Sequence, residues 1–213
     1  MGKCYTMDLR AILAGLAFAL IWSSAFTSAR VIVAGAPPIL SLSLRFLISG
    51  LIGIAIARML GQTWRLTLGQ WKATIVFGIC QNALYLGLNF VAMQSIEASL
   101  ASIIASTMPL AVGFSGWVFF SERLSWVGIL GLLAGALGVA LIMGARMQDG
   151  ADFFGIVLCF IAVASLTVAT LMVRGASSGG NLLMIIGLQM LVGSVLLAVP
   201  GLLLEHKVVL WSP

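Results

Sequence analysis

Charge is scarce in this sequence, and that scarcity decides what class of protein it is. Its 213 residues include eleven Lys and Arg and six Asp and Glu, 8% in all, where a soluble domain carries about 25%. So little charge cannot cover a surface that faces water on every side, and lipid must serve as solvent for much of it. Histidine occurs once, as His206, which excludes a histidine-cluster metal site within the chain. The three cysteines, Cys4, Cys80 and Cys159, are odd in number and form no CxxC pair, so neither a disulfide framework nor a zinc site is indicated. Basic runs are also missing. The net charge is +5, but its Lys and Arg stand singly between apolar stretches, whereas nucleic-acid binding needs a clustered basic face. Topology and anionic lipid headgroups account for them instead. No acidic residue lies deep in an apolar stretch, which removes the usual interior proton relay and leaves passive exchange or a shallower group such as Glu97.

What is abundant is apolar: 62% of residues are hydrophobic, mean hydropathy is +1.18, and there are 24 glycines, which membrane helices tolerate and use. A helix that crosses a bilayer needs about 20 mostly apolar residues. Seven windows meet this, at 11–33, 39–57, 73–92, 97–120, 124–144, 153–173 and 181–204. The breakers fall between them: Gly35, Pro37 and Pro38, then 61–72, Gly150, and 177–180. Residues 208–213 are too few to span. The expected fold is an all-α membrane bundle of about seven transmembrane helices. With the N-terminus cytoplasmic, Lys3, Arg10, Arg58, Arg65, Lys72, Arg123 and Arg174 lie inside and only Arg30, Arg146 and Lys207 outside, as the positive-inside rule prefers. The first window follows Lys3 and Arg10 as a signal peptide would, but it is about twice as long as such a core and six spans follow it. Residues Met1-Gly2-Lys3-Cys4-Tyr5-Thr6 have the form of a myristoylation signal, redundant beside seven spans; Met7 is an alternative start.

The chain contains a faint internal repeat. Arg45-Phe46-Leu47-Ile48-Ser49-Gly50 reads like Gln189-Met190-Leu191-Val192-Gly193-Ser194, Gly15-Leu16 like Gly155-Ile156, and Trp64 like Trp211. Spans six and seven thus replay spans one and two. A unit of five spans is odd, so its copy sits upside down in the membrane, an arrangement typical of secondary transporters.

Polar side chains in hydrocarbon are costly unless they face protein or a wet cavity, and here they share faces. In the third span Gly78, Asn82, Tyr85 and Asn89 form one stripe flanked by Gln81. In the fourth, Ser95, Ser99, Ser102, Ser106, Pro109, Gly113 and Gly116 repeat along the helix. Ser41, Arg45, Ser49 and Gly53 recur in the second, and Ser23, Ser24, Thr27 and Ser28 stand beside Trp22 in the first. For the fourth-span serines, close packing and cavity lining remain open. Gly128, Gly131, Gly135 and Gly138 carry no polar atom and read as a packing or dimer face. Pro109 removes a helix hydrogen bond in mid-span. Arg45 either snorkels to the interface or holds an anion. Gly113-Phe114-Ser115-Gly116 also matches the GxSG of rhomboid-type serine proteases, but its only available base is His206, at the far end of the seventh span.

These residues resemble the EamA family of the drug/metabolite transporter superfamily. The resemblance rests on Trp22-Ser23-Ser24-Ala25-Phe26, Pro37-Pro38, Arg45-Phe46, and above all 92–138. There Ala98-Ser99-Leu100-Ala101-Ser102 precedes Pro109, and Glu122-Arg123-Leu124-Ser125 leads into Gly128, Gly131 and Gly138. It implies a complete five-helix repeat at 1–146 and a partial second repeat at 147–213. It further implies export or exchange of a metabolite, amino acid or drug-like solute by alternating access, at a bacterial inner membrane, with no cofactor. The expected cavity residues are Trp22, Ser24, Arg45, Asn82, Tyr85, Asn89, Ser102, Ser106, Pro109 and Gln189, with a homodimer supplying what the short second repeat lacks. The alternatives are a truncated, non-transporting membrane protein or assembly partner, and the intramembrane protease.

Overall fold

Backbone N–H and C=O groups have no water to pair with in hydrocarbon, so each apolar stretch winds into a helix that satisfies them internally. The computed structural model describes residues 9–122, 124–148, 150, 152–173 and 179–205. Residues 1–8, Arg123, Arg174, His206, Lys207, the 208–213 segment and Trp211 within it, on which some sequence expectations fell, lie outside this set. Among the described residues the chain is all helix, with seven helices long and apolar enough to cross a membrane. They are α1 (Leu9–Gly35), α2 (Pro38–Met59), α3 (Leu68–Ala92), α4 (Ala98–Phe120), α5 (Trp126–Gln148), α6 (Phe153–Val173) and α7 (Leu182–Leu204).

The helix ends follow local chemistry. Pro38 opens α2 at a position where its missing N–H has no intrahelical partner anyway. Beyond Leu60, which closes that helix, Gly61 takes φ +75, the left-handed conformation glycine adopts without strain. The α3 helix starts five residues before the hydropathy window. Thr67 caps it through a reciprocal box, its hydroxyl accepting from the Gln70 N–H at 3.3 Å while Gln70 Oε1 accepts from the Thr67 N–H at 2.9 Å. That box outweighs the polar residues that hid the first turn.

Two helices depart from simple α geometry. Residues Gly78–Leu86 of α3 wind as a π-helix, whose i→i+5 bonding gives a wider turn. The α4 helix is broken: Ala98–Ala105 and Met108–Phe120 are separate segments joined at Ser106 and Thr107. Pro109 therefore stands in the first turn of the second segment, where proline is tolerated, and does not kink a continuous helix. The Ser106 and Thr107 hydroxyls donate to the Ile103 and Ile104 carbonyls, each at 2.6 Å, and the Ile104 carbonyl also accepts the Thr107 N–H at 3.0 Å.

The most extensive helix contact joins α2 to α7. A Cβ on Gly50 would lie 3.0 Å from the Gly187 carbonyl, and one on Gly187 would lie 3.0 Å from the Gly50 carbonyl. The same interface carries a reciprocal serine pair: Ser43 Oγ donates to the Ser194 carbonyl and Ser194 Oγ to the Ser43 carbonyl, both at 2.9 Å. Small residues allow this approach, and it lets hydroxyls bond across helices where lipid offers no partner. The two helices also cap one another. The Glu205 carboxylate accepts from the Ile39 and Leu40 N–H groups at 2.9 and 2.8 Å, while Gln62 Oε1 accepts from the Met184 N–H at 3.0 Å. Around this pair α3 and α6 supply most of the remaining core, with Phe90, Met93, Ile156, Cys159 and Val163 buried. By contrast α5 is almost wholly peripheral.

Replacing Gly187 by Ala puts a methyl 3.0 Å from backbone on α2 and 2.8 Å from the Ile54 side chain. Overpacking of this kind costs about 1–3 kcal/mol. The expected result is a lower melting temperature for the purified protein in detergent. Gly131→Ala, where nothing lies within 4 Å, should leave the melting temperature unchanged or slightly raised.

Candidate functional site

Two cavities lie along α3, one towards each end of the helix. The larger, about 430 Å³, sits between the first half of α3, the last residue of α6 and the first half of α7. Phe77, Gln81, Asn82, Ile186 and Gln189 are on its walls. The smaller, about 60 Å³, sits between α1, α2 and the second half of α3, against Trp22, Phe26, Arg45, Tyr85 and Asn89. Its volume suits about two waters.

Glycines place the two central amides of the larger cavity. A Cβ on Gly78 would meet the Gln189 carbonyl at 2.8 Å, so α3 and α7 touch backbone to backbone where Gln189 emerges. A Cβ on Gly193 would lie 2.4 Å from the Asn82 Cβ, so Asn82 fits only beneath a bare α-carbon. Both amides are more than nine-tenths buried, Asn82 at 7% and Gln189 at 9% exposure. Neither makes a hydrogen bond to another described residue, yet no fully enclosed side-chain nitrogen or oxygen lacks a partner. Their polar atoms therefore open into the cavity. A buried amide left without a partner costs about 1–3 kcal/mol, and a solute or water in the cavity removes that cost.

Beside the smaller cavity α3 packs tightly on α6. Tyr85 is 1% and Asn89 2% exposed. Tyr85 packs on Ala162 and Leu166 of α6. Asn89 is occupied on both sides, its Nδ2 donating to the Tyr85 carbonyl at 2.8 Å and its Oδ1 accepting from the Cys159 thiol at 3.4 Å. The third-span stripe is thus split. Gly78 and Asn82 face α7, while Tyr85 and Asn89 turn to α6, because the wider π turn between them lags behind the α-helical rotation that the 3–4 spacing assumed.

Of the residues expected from sequence, Asn82 and Gln189 line the larger cavity, and Trp22, Arg45, Tyr85 and Asn89 the smaller. Ser24, Ser102 and Ser106 line neither. Their hydroxyls turn back to carbonyls of their own helices, at Ile21, Ser99 and Ile103. Pro109 is exposed. In the glycine stripe of α5, Gly135 meets Leu110 of α4, whereas Gly131 and Gly138 meet nothing within 4 Å. Ser115 is partly buried within α4. Sequence reasoning gave no weight to Ser43 and Ser165; the latter donates from α6 to the Cys80 carbonyl at 3.0 Å. A single serine among apolar residues carries no signal of the carbonyl it will meet.

The family described as EamA-like transporters matches residues 9–144. The chain belongs to that family. An uncharacterized transporter, YvbV, of Bacillus subtilis is 27% identical over 188 residues, 87% of this chain and 61% of that protein. An uncharacterized transporter of Archaeoglobus fulgidus is 27% identical over 82% of this chain and 61% of its own length. A WAT1-related chloroplastic protein of Arabidopsis thaliana is 26% identical over 82% and 43%. The chain therefore spans less than two thirds of these relatives. No solved structure matches it. Family and fold together make it a multi-pass membrane protein of the EamA-like family.

At the end of the bundle nearer the smaller cavity, this EamA-like chain is tied together by polar groups. The Arg30 guanidinium of α1 donates to the Met93 and Ile96 carbonyls beyond α3. Glu97 and Arg146 form an exposed ion pair at 3.6 Å, which adds little by itself. Asp152 accepts from the Ser95 hydroxyl at 2.7 Å and from the Gly155 N–H at 2.8 Å, joining the α3–α4 turn to the start of α6. The Ser95 hydroxyl first, and then the Gly155 N–H, hold its carboxyl below the ordinary 3.8. A lowered value in the folded state means that the tie stabilises the fold above the ordinary carboxylate range and is lost as pH falls through the lowered value. Asp152→Asn should therefore melt below wild type at neutral pH. That gap should close in melts taken progressively below pH 3.8.

Proposed function

We propose that this chain carries a small solute across the membrane by alternating access, with the larger cavity as its binding site and the Tyr85–Asn89–Cys159 layer as the barrier. One observation carries this reading. Two cavities abut successive stretches of the same helix, the larger reaching Asn82 and the smaller beginning at Tyr85, which is buried against α6 as Asn89 is. A site at mid-depth that reaches one side at a time is what alternating access requires. Membership of a transporter family, and relatives whose names say transporter, support it.

The inverted-repeat organisation is part of the same proposal, with 1–146 as one unit and 147–213 as part of a second. It is supported by the α2–α7 interface. Ser43 and Gly187 are 144 residues apart, as are Gly50 and Ser194, and Leu40 and Met184. The Ser43–Ser194 contact, shifted by that interval, becomes the Gly187–Gly50 contact. A two-fold axis between helices running in opposite directions produces this exchange. An N-terminus on the cytoplasmic side, a bacterial inner membrane and outward transport complete the proposal.

Access can be tested without knowing the solute. In a background carrying Cys4→Ser, Cys80→Ser and Cys159→Ser, single cysteines are introduced as Gln81→Cys and Phe26→Cys. A membrane-impermeant maleimide added to sealed vesicles of known orientation should label Gln81→Cys from one side and Phe26→Cys from the other. Labelling of both positions from the same side would remove the alternating-access reading.

A further inference from the structure

The walls of the larger cavity carry a chemical message that its family membership does not. Its described polar wall residues are all carboxamides: Gln70, Gln81, Asn82 and Gln189, set among apolar side chains. No described wall residue is ionisable. Lys72 shares the same end of α3 but is exposed and not on the wall. Asn82 and Gln189 are the deepest of the four, both more than nine-tenths buried and without a hydrogen bond to another described residue. Each offers an N–H donor and a carbonyl acceptor, and neither offers charge.

An ion entering this space would lose its hydration with no opposite charge to replace it, which is strongly unfavourable. A neutral group presenting a donor and an acceptor side by side could instead satisfy both amides at once. We infer that the larger cavity binds an uncharged solute bearing a carboxamide, lactam or urea-like edge on an apolar frame, read by Asn82 and Gln189. As a statement about the carried solute this rests on the transport reading; as a statement about a ligand site it does not.

The repeat sharpens the assignment. Gln189 is the counterpart of Arg45 at the interval of 144 residues, and Arg45 borders the other cavity. Equivalent positions therefore hold a permanent cation at one end of the bundle and a neutral amide at the other. Gln189 is the residue that keeps the larger cavity uncharged, and Gln189→Arg should make it prefer anions.

Three radiolabelled probes of near-identical shape separate the cases: benzamide, benzoate and benzamidine. Equilibrium binding is measured on the full purified chain in lipid nanodiscs at neutral pH. Benzamide is expected to bind saturably and at least tenfold more tightly than either charged probe. Asn82→Leu and Gln189→Leu should each weaken it at least tenfold, and Gln189→Arg should reverse the order so that benzoate exceeds benzamide. A preference that passes to the anion cannot come from a merely structural change. The inference is overturned if benzamide shows no saturable binding or if a charged probe binds wild type as tightly. Benzamide binding that is unchanged in both leucine variants overturns it too. Should a leucine variant not fold, the wild-type comparison of probes still decides. The maleimide experiment reports on transport separately. A chain labelled from one side only that still binds benzamide keeps this site and loses the transport reading. A chain with two-sided access that binds benzoate equally well keeps the transport reading and loses this inference.

Discussion

The bundle is organised by the place where α2 and α7 meet backbone to backbone. Hydrophobicity cannot pull two apolar helices together in lipid, because the tails are as apolar as the side chains they would displace. What remains is close packing and hydrogen bonding. The Gly50–Gly187 approach supplies the first and the Ser43–Ser194 exchange the second. Once that contact is made, the rotation of α7 about its axis is set, and with it the direction of Gln189 and the bare face at Gly193 that accepts Asn82. The candidate site is thus a downstream product of an interface that holds no solute.

Polarity is partitioned within this architecture. Asn82 and Gln189 open into one cavity, Arg45 stands at the other, and the acidic side chains Glu97, Asp152 and Glu205 are engaged at helix ends by hydroxyl, N–H or guanidinium partners. A passage whose deep surface is neutral discriminates by shape and hydrogen bonding, whereas its ends can discriminate by charge. Such a division suits a family whose named members share a scaffold more evidently than a ligand.

Much of this was legible in the chain before its structure. The seven spans follow from hydropathy because a membrane helix must be long and apolar, and the largest error, at the start of α3, fell where the Thr67–Gln70 box makes polar residues helical. Asn82 was legible as an expensive residue in need of a wet or proteinaceous neighbour, and Gln189 as the counterpart of Arg45 in the repeat. The site's geometry was not. Periodicity assumes 3.6 residues per turn, and nothing in Gly78–Leu86 announces a π-helix, so one stripe was expected where two faces exist. The serines of α4 recur along one face as cavity residues would, and those of α1 stand beside Trp22, yet a hydroxyl can always fold back to a carbonyl three residues earlier, and sequence spacing does not separate the two outcomes. Pro109 marked a break correctly in kind; the break itself lies one turn earlier, at Ser106 and Thr107, whose hydroxyls bond the Ile103 and Ile104 carbonyls.

The long separation between α2 and α7 has a consequence for biosynthesis. When α2 enters the bilayer, the helix that will accept its Ser43 hydroxyl and fit against Gly50 has not yet been made. Synthesis proceeds at about 5–20 residues per second, so the roughly 120 residues between the two helices take on the order of 6 to 24 s. The cap on the first N–H groups of α2 comes from Glu205, still later in the chain. During that interval the nascent bundle lacks its organising contact, and a glycine- and serine-bearing helix stands exposed to any other membrane segment that can approach as closely. The chain is most vulnerable to mispairing while it is being made.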